Sequence, residues 1–330
     1  VDWEQLHWRR RTLRDKCNGD VSKFRQEYPS DPEECFLMSS RPRFQIEVIK
    51  EMEEAAKTQN YVRGYIQLNE EDKASFVKDM SGTWKVFDEP LHDSAYLISV
   101  DTCTGEDQQD QGLAADPDFH SVQVWRQGYE DWNGDWHISR LVATHHSRLD
   151  IGVLVEDVEA AYRWYGGAFI VPEVNNSGLA LVKYLLDRGL SVYRRRRVND
   201  SNGMVEKSFG WSTDKITRKT VIDHLAAEIQ DRNVDIPDLD VIKELKVFIV
   251  TEKGKPEAAP GHHDDHVLAT AIGLYNIEMA STYRMPRKRQ ITTRMLRKNP
   301  SLMCPDGFTR VPLADLRARK GLRFGKKLVQ

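Results

Sequence analysis

Several features that mark other protein classes are scarce in this sequence of 330 residues. Its four cysteines are widely spaced and form no CxxC pair, which excludes a disulfide framework and a cysteine-based zinc site. No run approaches the roughly 18 uncharged apolar residues of a membrane helix, and the N-terminus lacks an apolar signal-peptide core. These absences predict a soluble protein with reduced thiols and no membrane partner.

The motifs of several enzyme classes are also missing. There is no GxxxxGK[ST] phosphate loop for ATP, and neither a GxSxG element nor a Cys/His pairing supports a covalent nucleophile. HExxH, the motif of many zinc enzymes, is absent as well. Any chemistry is therefore expected to rest on other residue types.

The histidines cluster in two places. His262, His263 and His266 could suggest zinc, but no cysteine or HExxH supports them. We interpret them as exposed loop residues, with a phosphate-contacting or metal-supporting role as the alternative. His145 and His146 are likewise interpreted as loop residues.

Charge is distributed unevenly along the chain. The formal net charge is -3, yet residues 281–330 hold 14 Lys and Arg against two Asp. A basic tail on an acidic body often contacts phosphate backbones. A solvated tail without a ligand is the alternative.

The chain divides into three predicted regions. Residues 1–60 show apolar residues at helical spacing and form a helical segment. Residues 61–280 alternate strand and helix patterns, and 281–330 form an irregular basic tail. Within the first region, Ser30-Asp31-Pro32 has the pattern of a helix start.

The middle region predicts an α/β fold of the RNase H-like class, in which helices flank a mixed sheet. Its order is a three-stranded antiparallel meander, a crossover helix and a parallel strand. The predicted strands are 96–101, 120–127, 137–144, 168–171, 190–193 and 246–251. The predicted helices are 151–165, about 177–188, about 213–231 and about 264–279, and turns are expected at 132–135 and 254–256.

Acidic residues stand where these strands end. Asp101 directly follows the apolar run 97–100, and Glu173 follows the run 168–172 in the same way. Asp264 and Asp265 open the last helix. If the two strands are neighbours and that helix starts at the same edge, three or four carboxylates converge.

Converging carboxylates repel each other, and divalent cations relieve that repulsion. Ligand sets made only of oxygen suit Mg²⁺ or Mn²⁺ rather than zinc. Two such ions roughly 4 Å apart can promote phosphodiester hydrolysis. Taken singly, each acid could instead be a loop residue or a helix cap.

Weaker signals point to DNA contacts. Asn175 and Asn176 follow Glu173 and could donate hydrogen bonds to phosphate, or cap the next helix. A run of four arginines could follow DNA phosphates, or form a solvated hairpin. The run consists of Arg194, Arg195, Arg196 and Arg197.

These residues resemble the C-terminal part of phage terminase large subunits. The resemblance covers about residues 1–280. It rests on five segments: FRQEYPSDPEECF (24–36), YLISVDTCTG (96–105), VPEVNNSG (171–178), GWST (210–213) and GKPEAAPGHHDDHVLATAI (254–272). The last of these is the most specific.

The resemblance implies an RNase H-like nuclease with an acidic metal site. The first and second metal-binding roles then belong to Asp101 and Glu173. The third maps to the aspartate pair, where Asp265 is preferred and Asp264 is a supporting ligand. It implies two Mg²⁺ or Mn²⁺ ions and endonucleolytic cleavage of concatemeric double-stranded DNA.

The resemblance also implies a setting in viral genome packaging. Family members carry an ATPase domain before the nuclease, and its motifs are absent here, so residues 1–60 are expected to link from that domain. The implied partners are DNA, the portal and the small terminase subunit. The implied location is the host cytoplasm, transiently at the procapsid portal.

Two other functions remain open on the sequence. A resolvase or transposase of the same fold would share the acids, but it would not account for segment 24–36 or the long stretch 213–251. A non-catalytic docking module would use the acids only as helix caps. Metal-dependent cleavage separates the enzymes from the module.

Overall fold

The computed structural model describes residues 2–28, 41–103, 119–131, 133–175, 177–198, 205–251 and 254–283. Three features discussed above lie outside these residues: the helix start at 30–32, Asn176 and the tail from residue 284. The side chains of Arg196 and Arg197 are also outside the description.

The helices of the described residues comprise three N-terminal helices, two that pack on one face of the sheet, three that pack on the other face, and a short last helix. They are α1 (Trp3–Asp15), α2 (Val21–Glu27), α3 (Ile46–Lys57), α4 (Ile151–Trp164), α5 (Gly178–Asp187), α6 (Lys215–Gln230), α7 (Leu239–Val247), α8 (Asp265–Tyr275) and α9 (Met279–Tyr283). None of them is both long enough and apolar enough to cross a membrane.

The strands form one large sheet and three short hairpins in the part of the chain that the structure describes. They are β1 (Val62–Leu68), β2 (Ala74–Lys78), β3 (Trp84–Val86), β4 (Tyr96–Asp101), β5 (His120–Arg126), β6 (Tyr129–Glu130), β7 (Trp136–His137), β8 (Ser139–Ser147), β9 (Phe169–Pro172), β10 (Arg194–Val198), β11 (Val205–Phe209), β12 (Val234–Asp235), β13 (Phe248–Val250) and β14 (Pro256–Ala258).

The large sheet has the order β2-β1-β3-β8-β5-β4-β9, with β12 paired to β8. Strands β4, β5 and β8 form an antiparallel meander, and β9 lies parallel to β4. Val192 extends this parallel side through a bridge to Ile170. Because α4 carries the chain from β8 across to β9, the order and directions confirm the predicted RNase H-like mixed sheet.

Each face of the sheet carries its own core because side chains alternate along the strands. On one face, Leu97 and Phe169 pack with residues of α3, α6, α7 and α8. On the other face, Ile98 and Ile170 pack with α4 and α5. The candidate site belongs to the first face.

Helix α8 approaches the sheet closely at Gly273. A Cβ atom at this position would lie 2.8 Å from Ser99 Oγ and 2.9 Å from two atoms of the Trp125 ring. The absence of a side chain therefore lets α8 lie directly on β4 and β5. This contact fixes where the first turn of the helix meets the sheet.

The structure corrects several element boundaries. Residues 246–247 were predicted as strand, but they are the last two residues of helix α7. The sequence analysis did not predict this helix. Asp238 caps its start, where the side chain accepts a hydrogen bond from Asp240 N. The helix predicted over 264–279 ends at Tyr275. The turn predicted at 254–256 is confirmed, since Thr251 N donates to Lys255 O across 2.9 Å.

Candidate metal centre

Strand alternation brings Asp101 and Glu173 to the same face of the sheet. Leu97 pairs with Phe169, and Ser99 with Val171, in the parallel register of β4 and β9. Two residues further along, Asp101 and Glu173 continue these two series. Glu173 N donates to Val100 O across 2.8 Å, which keeps the end of β9 against β4.

Asp265 lies in the first turn of α8, the helix that packs on this face of the sheet. It is 9% exposed, against 7% for Asp101 and 5% for Glu173. Its Oδ2 accepts a hydrogen bond from Phe119 N at 3.0 Å. An acid in the first turn is also favoured by the helix dipole.

The three carboxylates line one open cleft of about 1120 Å³, together with Asp264 and Asn175. The structure thus brings together the acids that were predicted from three separate segments. Their roles as metal ligands remain a prediction at this point.

The electrostatics of the cleft favour protonation of Asp101. Burial raises the pKa of this carboxyl well above its usual value, and the negative charge of Glu173 raises it further. The side chains of these two residues also share a hydrogen bond, and Asp265 adds a smaller repulsion. A positive ion in the cleft would oppose these effects and favour the ionised form of Asp101.

Asp264 has a different environment from Asp265. Its Oδ2 lies 2.5 Å from Arg218 Nη2 and 3.4 Å from Ala258 N. One of its oxygens is therefore already engaged by a cation and by the β14 backbone. This geometry favours Asp265 as the ligand and Asp264 as its support.

Asn175 lines the cleft and also forms a hydrogen bond with Glu173. Its Nδ2 donates to Glu173 Oε1 at 3.0 Å and to Thr213 O at 2.8 Å. The amide thereby fixes the orientation of the carboxylate. The phosphate contact that the sequence suggested for Asn175 stays untested.

The arginine run lies in the β10–β11 hairpin, where Arg194 pairs with Phe209. The guanidinium of Arg194 stacks 4.7 Å over the Phe209 ring. Arg194 and Arg195 are not among the described residues that line the cleft. Their predicted DNA contact stays untested.

The cleft also has a basic side that the sequence analysis missed. Lys215, Arg218 and Lys219 lie on the first turns of α6, and Lys255 lies in the β13–β14 turn. The spacing of the three α6 residues places them on one helix face. That spacing was visible in the sequence and would have predicted a basic helix face.

A second cluster lies beside the first turn of α8. It contains His146, Glu244 and His266, each with a ligand atom within 4.8 Å of the other two. Two interpretations from the sequence were wrong here, because His145 and His146 lie within strand β8 and His266 is buried in α8. Their partner Glu244 comes from α7, an element that was not predicted.

Burial dominates the titration of this second cluster. It lowers the pKa of His146 to about 3 and that of His266 to about 4. For Glu244 burial, and then the charge of Asp265, raises the pKa to about 9. At neutral pH both imidazoles are therefore uncharged.

Comparison with known proteins finds phage nucleases. No family model and no curated protein matches the chain. Among solved structures, it is similar to the large terminase nuclease of thermophilic phage G20c with bound magnesium, at 18% identity and a TM-score of 0.42 over 63% of this chain and 90% of that one. The Thermus Phage P74-26 large terminase nuclease domain is 17% identical, with a TM-score of 0.43 over 64% and 90%. Both are large terminase nucleases, the family that the sequence motifs resemble.

Proposed function

We propose that this chain is a divalent-metal-dependent endonuclease that cuts double-stranded DNA. The observation that carries the proposal is the meeting of Asp101, Glu173 and Asp265 in one cleft. They arrive from the ends of two adjacent strands and the start of a helix. Three buried acids at one place need a positive partner, because their mutual repulsion is costly in a low dielectric.

The donor chemistry of the cleft fits Mg²⁺ or Mn²⁺. All three side chains offer carboxylate oxygens, the ligands that these ions prefer. Burial and the charge of Glu173 raise the pKa of Asp101, and a bound cation would favour its ionised form. Two ions bound there would supply a deprotonated water and neutralise charge on the attacked phosphate and the leaving 3′-oxygen.

The chain's own residues would position these participants. Asn175 holds the Glu173 carboxylate by its 3.0 Å hydrogen bond, and Phe119 N holds Asp265. Arg218 forms an ion pair with Asp264 at the same helix start. Water attacks the phosphorus, the P–O3′ bond breaks, and the 3′-oxygen leaves as a hydroxyl.

DNA is the substrate that the charges of the cleft favour. Its acids would hold cations, while Lys215, Lys219 and Lys255, which line the same cleft, could contact backbone phosphates. The volume of about 1120 Å³ exceeds the usual size of a small-molecule pocket. Contacts to phosphates give little sequence preference, as expected of a nuclease that cuts a concatemer.

The sequence motifs support a role in viral DNA packaging. On this proposal the chain is the nuclease part of a terminase large subunit, and an ATPase domain belongs to the same protein. It would work with the portal and the small terminase subunit, in the host cytoplasm and at the procapsid portal.

Cleavage of plasmid DNA tests the proposal. Asp101→Asn should lower the Mn²⁺-dependent rate by at least about 100-fold, because removing a ligand exceeds the 10–100-fold cost of removing its supporting partner. Asp187→Asn, an exposed acid on α5, is the matched control and should cleave normally. Undiminished cleavage by Asp101→Asn would contradict the proposal, and activity confined to four-way junctions would make the chain a resolvase.

A further inference from the structure

A cluster with nitrogen donors lies on the same face of the sheet as the carboxylates. His146, Glu244 and His266 come from β8, α7 and α8, and their ligand atoms lie within 4.8 Å of one another. The three elements are distant in sequence, so the cluster depends on the packing of both helices against the sheet.

We propose that His146, Glu244 and His266 form a binding site for a transition-metal ion such as Zn²⁺. Two imidazoles and one carboxylate are a zinc ligand set, with a fourth position left for water. In a tetrahedral site, ligand atoms that are about 2.0–2.1 Å from zinc lie about 3.3 Å from one another. The ligand atoms of the three side chains, which lie within 4.8 Å of one another, therefore need to approach by at most about 1.5 Å.

The surroundings of the cluster orient its ligands. His266 Nδ1 lies 2.8 Å from Ser121 Oγ, and in the tautomer with the proton on Nδ1 this hydrogen bond leaves the Nε2 lone pair for an ion. Glu244 Oε2 accepts from His266 N at 2.8 Å and from Val267 N at 3.3 Å. This contact leaves Glu244 Oε1 as the oxygen for an ion.

An open side gives the ion a path from solvent. His146 is exposed, and the Phe119 ring stacks on its imidazole at 4.2 Å between centroids. The rings of His146 and His266 are 4.4 Å apart.

This site is separate from the carboxylate site. Asp101 pairs with Ser121, and Ser121 with His146, so one strand lies between the two clusters. Two interstrand spacings amount to about 10 Å, more than the roughly 4 Å between paired catalytic ions. The proposal does not depend on the nuclease function, and either can fail without the other.

Binding of Co²⁺ in excess Mg²⁺ tests the site, because Mg²⁺ occupies oxygen ligands and leaves imidazole sites open. The full chain should bind one Co²⁺ with the visible absorption of a low-coordinate site. His146→Asn should weaken this binding at least about tenfold, and Glu244→Gln should also weaken it while retaining its hydrogen bonds to α8.

His92→Asn is the control, since His92 lies on an exposed loop outside the cluster. It should bind Co²⁺ as the unchanged chain does. Thermal unfolding in chelator checks that the variants are folded, and Zn²⁺ should raise the Tm of the unchanged chain but not of His146→Asn. Equal Co²⁺ affinity in His146→Asn and His92→Asn, or full displacement of Co²⁺ by Mg²⁺, would overturn the proposal.

Discussion

Two clusters of ionisable side chains flank the first turn of α8, and they differ in donor chemistry. On the β9 side, Asp101, Glu173 and Asp265 present oxygen alone. On the β8 side, the cluster presents imidazole nitrogens of His146 and His266 together with a carboxylate oxygen of Glu244. Residues 265 and 266 are consecutive, so one helix start serves both clusters.

The comparison shows how a single backbone arrangement separates two kinds of site. Successive residues of a helix point about 100° apart, which directs Asp265 towards β4 and His266 towards Ser121 on β5. Burial has opposite consequences for the two residue types. It raises the pKa of Asp101 and lowers that of His266, so each cluster disfavours charge when no ion is bound.

The largest expected effect separates the two aspartates at the helix start. Asp265→Asn should lower Mn²⁺-dependent DNA cleavage by at least about 100-fold, whereas Asp264→Asn should lower it only about tenfold, as for a residue that supports a ligand. The reason is that Asp264 already pairs with Arg218, while Asp265 faces Asp101. Single-turnover rates on plasmid DNA measure both. A larger loss for Asp264→Asn would reverse the assignment of the ligand.

A smaller effect concerns stability and pH on the histidine side. The pKa of Glu244 is raised from 4.5 to about 9 in the folded chain. Its stabilising contribution is therefore complete below about 4.5 and is lost as the pH rises towards 9. In chelator, the Tm of the unchanged chain should fall across this range, and Glu244→Gln should reduce that fall.

The control for this experiment is Glu51→Gln, an exposed carboxylate that pairs with Arg232. The raised pKa of Asp101 also makes the chain less stable as the pH rises, but this effect is the same in every variant. The difference between the two Tm profiles therefore reports on Glu244. Parallel profiles for Glu244→Gln and the unchanged chain would show that this carboxyl is not held protonated by burial.

The smallest expected effect concerns the basic side of the cleft. Lys215 is exposed on the first turn of α6 and lines the cleft. Lys215→Gln should weaken DNA binding at every sequence and reduce the slope of log K against log salt by about 1, as for one lost phosphate contact. Fluorescence anisotropy over a salt series measures the slope. Lys50→Gln, an exposed lysine of α3, should leave it unchanged.

The carboxylate cluster could be predicted from the sequence because local patterns determine it. A buried strand that ends in an acid places that acid at a sheet edge. The convergence of Asp101 and Glu173 further required that β4 and β9 be neighbours, which the sequence left as a condition and the structure shows. The choice between Asp264 and Asp265 could not be made from local sequence, because the ion pair of Asp264 with Arg218 joins residues 46 positions apart.

The histidine cluster could not be predicted because long-range packing creates it. His146 appeared to be in a loop since strand β8 extends to Ser147, beyond the predicted end at 144. Glu244 lies on α7, whose start depends on Asp238 contacting Lys85 and Thr144 across the sheet. No local pattern of residues reveals these contacts.

A crystal structure with Mn²⁺, located by anomalous scattering, tests the central claim most directly. The account predicts two ions in the cleft, about 4 Å apart, with Asp101, Glu173 and Asp265 among their ligands. Manganese bound elsewhere, with none of these three carboxylates in contact, would contradict it.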